Sequence, residues 1–266
     1  MKKNVVMGAV HGLPTEKIAP FVLSLKEAGF DGDVILFHIQ VDAEFESFCR
    51  KTGVRTLPFT FSKLFDGPIH CGRFKAFHQF LQDYRDDYNG ALVSDVSDVI
   101  FQSNPFKAVD DRLCHFFLEC DRVRIGENPS NAKWVRRFVP AAHRDKLYQE
   151  RISCVGVGFG QAEMMADYLT KLWLLIKSTP LWHRRKIGAD QALHNYITYV
   201  DGTIAHKLHI NNDIVATMGL EGREAYRLRS DGTIEAADGT VPAVCHQYDR
   251  YPDIEAAIHA RYRLAL

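Results

Sequence analysis

Apolar runs of strand length alternate with amphipathic stretches of helix length through the first hundred residues, and no other feature restricts the possible folds as much. Residues 4–10 ("NVVMGAV") read as a buried strand, 15–28 as an amphipathic helix and 33–39 ("DVILFHI") as a second strand. A short helix at 42–51, a strand near 54–60 and a longer helix from about 71 to 86 follow, the last with Phe74, Phe77, Leu81 and Tyr84 on its inner face. "GALVSD" is the fourth strand. Strands apolar on both sides need cover on both faces, and same-direction strands need helical crossovers. The pattern therefore predicts an α/β fold with a Rossmann-like, mainly parallel central sheet flanked by helices.

The later chain reads less regularly. "RISCVGVGFG" at 151–160 predicts a strand and glycine-rich turn, followed by a helix at 161–177 with Met165, Tyr168, Leu169, Leu172, Trp173 and Ile176 inward. Another helix is expected at 189–199, then short strands with "DGT" turns at 201, 231 and 238, and a last helix near 253–263. The unequal spacing of those turns defines no repeat. With 46% hydrophobic residues in 266, one large domain is expected, regular over about 1–110 and smaller and more mixed over about 111–266.

Lys plus Arg and Asp plus Glu both number 33, so no global field favours nucleic acid or anionic lipid. The apolar start breaks at Gly12, Pro14 and Glu16, and "LWLLI" at 172–176 is far too short to span a bilayer; no transmembrane segment is expected. Six cysteines without a C-x-x-C pair fit reduced thiols and a cytoplasmic location.

Chemistry concentrates in "SDVSDVIF". Aspartate is a poor strand residue and costly to bury unpaired, so Asp95 and Asp98 need water, basic partners or a cation. An extended chain would point them to opposite faces, whereas a turn after Ser94 would aim both at one place. Oxygen ligands of this kind suit magnesium or manganese, and His246 could complete an oxygen-rich manganese site. The plainer readings are acids that cap a turn and a structural histidine. Arg73 and Lys75 begin the helix before the acidic strand, where a cation could meet a pyrophosphate; a solvated face is the alternative, more so for Lys75. His183, Arg184, Arg185 and Lys186 precede Asp190 and Gln191 and form either a diphosphate-neutralising group or an exposed loop. "VGVGFG" fails as a dinucleotide fingerprint because Gln161 stands where the third glycine belongs; close packing explains Gly156, Gly158 and Gly160 at least as well.

Together these stretches resemble the nucleotide-sugar glycosyltransferases of the GT-A fold. The resemblance runs through "VVMGAVHG", "IAPFVLSLKEAGFDGDVILF", "RFKAFHQFL", "SDVSDVIFQSNPF", "GADQALHN" and "CHQYD", in that order. It implies a divalent metal, Mn2+ or Mg2+, held by Asp98, His246 and Asp95, although D-x-x-D replaces the family's D-x-D and Asp95 could instead contact ribose or a basic side chain. It implies a nucleotide-binding half at about 1–110, an acceptor-binding and site-completing half at about 111–266, and donor contacts at Gly8, Ala9, Val10, His11, Arg73, Asp95, Gly156 and Lys186. By the same resemblance Asp190 binds sugar hydroxyls or an acceptor, and Gln191 lies near the anomeric carbon. The implied activity moves a sugar from a nucleoside diphosphate donor, a UDP-sugar first, to a hydroxyl of a glycan or lipid-linked glycan. Retention is favoured over inversion, and surface polysaccharide assembly at the inner face of the membrane is the natural setting. The rival readings are a sugar-phosphate nucleotidyltransferase, for which "GAVHGLPTEK" is a weak phosphate loop, and a noncatalytic sugar-nucleotide-binding scaffold.

Overall fold

A computed structural model describes residues 2–108 and 112–263. In chain order the elements are β1 (Lys3–Val10), α1 (Thr15–Glu27), β2 (Asp33–His38), α2 (Ala43–Thr52), β3 (Arg55–Pro58), α3 (Ile69–Tyr84), β4 (Tyr88–Ser94) and β5 (Val99–Phe101). Next come β6 (Cys114–Leu118), α4 (Pro129–Phe138), α5 (Ala141–Gln149), β7 (Ser153–Gln161), α6 (Ala162–Ser178), α7 (Leu181–Arg184) and α8 (Ala189–Tyr196). The chain finishes with β8 (His206–His209), β9 (Val215–Thr217), β10 (Tyr226–Leu228), β11 (Ile234–Ala236), β12 (Val244–His246) and α9 (Pro252–Arg261).

A seven-stranded sheet in the order β3-β2-β1-β4-β7-β6-β8 forms the centre. The β3-β2-β1-β4 stretch is parallel and so is β6-β8, while β7 runs against both its neighbours. This is the α/β class that the strand and helix alternation predicts. Strand parity divides the core. Val5 and Met7 of β1 join Phe74, Phe77, Met165 and Leu169 of α3 and α6 on one face, whereas Val6 and Val10 join Phe21, Val22 and Phe45 of α1 and α2 on the other. At about 25 cal/mol per Å2, each fully buried aromatic or aliphatic side chain contributes roughly 1.5–3 kcal/mol, so both faces must be covered for the sheet to persist. A third cluster, with Ile100, Cys245, Tyr248, Ile254 and Ile258, lies under the small sheet β5-β12-β9.

Several local expectations shift. The glycine-rich "VGVGFG" is strand throughout: β7 continues to Gln161 before α6 begins. Helix α8 stops at Tyr196 and loosens into a wider π-type turn over Ile197–Asp201. The three "DGT" turns share one local device, each aspartate accepting from the threonine amide two residues on (Asp201–Thr203 3.3 Å, Asp231–Thr233 2.9 Å, Asp238–Thr240 2.9 Å). The six cysteines are all buried and unpaired. No helix among the described residues is long and apolar enough to cross a membrane.

Candidate functional site

The parallel strands β1 and β4 end on the same edge of the sheet where the antiparallel β7 begins. Ser94, the last residue of β4, lies opposite Val157, and the Asp95 amide donates to Gly156 O at 2.8 Å. The chain then turns over residues 96–98 and starts β5. That turn brings both acids to one side, as the sequence spacing allows. Val99 pairs with His246 across the β5-β12 ladder, and the Gln247 amide donates to Asp98 O at 2.8 Å, so backbone pairing fixes the imidazole beside the acids.

Asp95, Asp98 and His246 offer ligand atoms that all lie within 4.8 Å of one another. His246 Nε2 stands 3.3 Å from an Asp95 oxygen and 3.8 Å from an Asp98 oxygen, yet it is buried without a hydrogen-bond partner. Gly156 makes the room: a Cβ there would lie 2.3 Å from His246 Cε1 and 2.7 Å from Asp95 Oδ2. Two carboxylates and an imidazole nitrogen with no partner are a donor set suited to a divalent cation of the manganese type. The residues fit such an ion. Burial pulls the His246 pKa down, but Cys154, Asp98 and Glu119 outweigh it and raise the value to about 9.

Arg73, on the first turns of α3, is 8% exposed and forms an ion pair and hydrogen bond with Asp95. Its Nε is buried with no partner. A candidate cation-binding triad and a guanidinium with a free donor therefore share one carboxylate. Lys75 points elsewhere and pairs with Asp66 at 3.3 Å.

Arg73, Asp95 and His246 open on a cavity of about 430 Å3, whose lining does not include Asp98. Asp95, Gly156, Asp190, Gln191 and His246 line it, together with Arg73. Glycine is required at residue 188, where φ is +90° and a Cβ would lie 2.3 Å from the Trp134 ring, which covers the start of α8. The Gln191 side chain clamps the edge of β7, since its Oε1 accepts from the Val155 amide at 3.0 Å and its Nε2 donates to Ser153 O at 2.8 Å. Asn195, one turn on, grips Ser153 from both sides at 3.0 Å. Side-chain amides thus stand in for a strand partner at the start of β7.

The remaining sequence candidates lie apart from the cavity lining. Gly8, at the end of β1, is covered by Val96, whose Cγ2 would lie 2.4 Å from an added Cβ. Ala9 and Val10 pack into the core, and His11 is exposed with its ring 6.1 Å from that of Phe61. Lys186 is exposed, although its neighbours Ile187 and Gly188 reach the cavity. Arg184 turns inward and binds the carbonyls of Phe65 and Thr179, which corrects the reading of that basic run as uniformly exposed or anion-facing.

Glu119, Asn128, Asn131, Trp134 and Arg250, which no sequence motif assigns to this site, also line the cavity. Glu119 follows β6, and burial raises its pKa to about 6 against the opposing effects of His246 and Cys154. A signal for α4 was present: Asn128 caps the helix by accepting from the Ser130 and Asn131 amides, and Pro129 occupies its first turn.

Neither a protein-family model nor a curated protein matches the chain. Among solved structures it is similar to core-mannan synthase A from Aspergillus fumigatus, crystallised in a Mn/GDP form, with 12% identity and a TM-score of 0.45 over 80% of this chain and 73% of that one.

Proposed function

We propose that this protein is a metal-dependent glycosyltransferase of the GT-A kind, moving a sugar from a nucleoside diphosphate donor to an acceptor hydroxyl. The observation that carries the reading is the pair of orphaned nitrogens. His246 Nε2 lacks a partner beside two carboxylates, and Arg73 Nε lacks an acceptor beside the same Asp95. A cation with a diphosphate would answer both, because the imidazole nitrogen would ligate the cation and a phosphate oxygen would accept a hydrogen bond from the Arg73 Nε–H. Ligands of open α/β sheets gather at the carboxyl ends of the strands, where this site lies.

Held by Asp95, Asp98 and His246, Mn2+ or Mg2+ would supply charge neutralisation for a departing nucleoside diphosphate. The chain's own groups do the rest. Arg73 orients the phosphates, the β1 end with His11 and Phe61 faces the nucleoside, and Asp190 at the start of α8 binds sugar hydroxyls or the acceptor. Gln191 keeps the β7 edge rigid beneath the sugar. Retention is the reading we favour; Glu119, a cavity carboxylate whose pKa burial raises to about 6, would give inversion a general base, and the anomeric configuration of the product decides between them. A glycan or lipid-linked glycan acceptor and a role in surface polysaccharide assembly complete the proposal.

A thermal-shift screen against UDP, GDP, CDP and NAD, each with and without manganese, tests it before any acceptor is known. Ligand at about 100 times its Kd stabilises the folded state by roughly 2.7 kcal/mol, enough to raise Tm by roughly 5 °C or more. A manganese-dependent rise with one nucleoside diphosphate identifies the donor base, with UDP the first expectation. No shift with any diphosphate sinks the donor site, and pyrophosphate release from a nucleoside triphosphate and a sugar phosphate would favour a nucleotidyltransferase instead.

A further inference from the structure

Exposed large apolar side chains cluster on one face. Leu64, Phe65, Leu181, Trp182 and Ile187 are 41%, 54%, 42%, 69% and 57% exposed, and they sit on two short segments, the loop 61–66 and 181–187, which is α7 with the turn that follows it. Scattered single apolar residues need no explanation, but a contiguous group does. The segments are fastened together: buried Arg184 donates from Nη1 to Phe65 O at 2.6 Å, and Lys177 Nζ reaches the same carbonyl at 3.4 Å. Leu174, one turn before Lys177 on α6 and 58% exposed, extends the patch. Its surround carries one sign of charge. Lys63, Lys177, Arg185 and Lys186 are exposed, and the only acid in either segment, Asp66, is 5% exposed and paired with Lys75 and Lys177.

We propose that this face docks the protein on the surface of an anionic phospholipid bilayer. An indole ring and aliphatic side chains ringed by lysine and arginine match the interfacial zone of a membrane, where apolar tips enter the acyl boundary and cations meet lipid phosphates. A second copy of the chain is a poor occupant, because a two-fold interface would press the same cations together. The α9 end of the chain is not part of this face: Arg261 is bound to Glu27 and to Asp231 O. Ile187 belongs to both the patch and the cavity lining, so docking sets the cavity rim beside the lipid. The identity of the acceptor rests in addition on the transferase reading, and with it becomes a lipid-linked glycan presented at the bilayer surface.

The test is co-sedimentation of the full chain with vesicles of phosphatidylcholine alone or with roughly one third phosphatidylglycerol. The wild type should bind the anionic vesicles, lose binding at high salt and show a blue shift of tryptophan emission that is absent from a Trp182→Phe variant. The variants Phe65→Ser/Trp182→Ser and Lys63→Glu/Arg185→Glu change only exposed side chains, and circular dichroism confirms their fold. Each should bind roughly tenfold more weakly. Wild type that stays in the supernatant, folded variants that bind like wild type, or a wild-type dimer dissolved by the same substitutions would each overturn the proposal. Failure of the transferase reading shows separately, as absence of a nucleotide-dependent melting shift with vesicle binding intact.

Discussion

At the scale of single residues the two acids are unequal. Asp95 neutralises Arg73, whose side chain is 10% exposed, whereas the ion-pair contact of Asp98 is His246 at 3.8 Å. Asp95→Asn leaves a buried cation without its counter-charge and should destabilise the fold by about 2–3 kcal/mol. Asp98→Asn should leave Tm within a few degrees yet abolish manganese binding, measured by calorimetric titration; unchanged manganese affinity in the folded variant would refute its role as a ligand. His246 adds a pH dependence with a definite sign. Its folded pKa, about 9, lies above its ordinary 6.5, so the metal-free protein has the full stabilising contribution below about 6.5 and loses it as pH rises through about 9. Ligation needs the neutral ring, so at pH 7 manganese binding should release a proton, and apparent affinity should climb between pH 7 and 9. Titration in buffers of different ionisation enthalpy reads that proton directly, and a proton count of zero would contradict the assignment.

At the scale of elements, the start of β7 pairs with β6 on one edge and is held by α8 on the other. Gln191→Leu leaves the Val155 amide without its acceptor, for an expected loss of about 1–3 kcal/mol. Because Gly156 O holds the Asp95 amide, the same substitution should also weaken manganese binding several-fold, while Gln191→Glu, which keeps the acceptor for Val155, should recover part of both. Equal melting temperatures for Gln191→Leu and wild type would show that the clamp carries no stability. This clamp was invisible in "GADQALHN", where a glutamine beside an aspartate invites a role at the sugar; nothing local says that its amide faces a strand edge 36 residues earlier. The elements read best from sequence are β1, β2, β4 and α3, whose apolar runs and stripes are set by burial on both sides of the sheet, although Tyr84, expected on the inner face of α3, is 40% exposed. Residues 112–150 yielded nothing. The strand "CHFFL" is five residues, buried throughout, with His115 among its apolar residues and no alternation, and α4 carries most of its cations outward, with only Asn131, Val135 and Phe138 buried. Consequently Glu119 and Trp134 stayed hidden, since each reaches the cavity from an element whose place in the sheet order the sequence does not announce.

At the scale of the molecule, the site depends on segments far apart in the chain. Asp95 and Asp98 follow β4, Gly156 belongs to β7, Asp190 to α8 and His246 to β12, and β7 is inserted between β4 and β6 in one sheet. The expected nucleotide-binding half, about 1–110, therefore ends at an unpaired β4 edge when considered alone, and it lacks one ligand of the proposed triad. The C-terminal cluster is tied back to the first helix as well: Lys17 pairs with Glu255 at 2.6 Å, and Tyr262 donates to Glu27 at 2.7 Å. Strand pairing, shared core and these cross-links predict that the two halves unfold together. Differential scanning calorimetry should give one transition, with calorimetric and van't Hoff enthalpies in agreement. Saturating manganese and nucleoside diphosphate should move that transition as a whole, because a ligand held by residues from both halves stabilises only the state in which both are folded. Two separable transitions, with only the first moved by ligand, would mean that the nucleotide half carries the site without β12, and His246 would then have to be withdrawn from it.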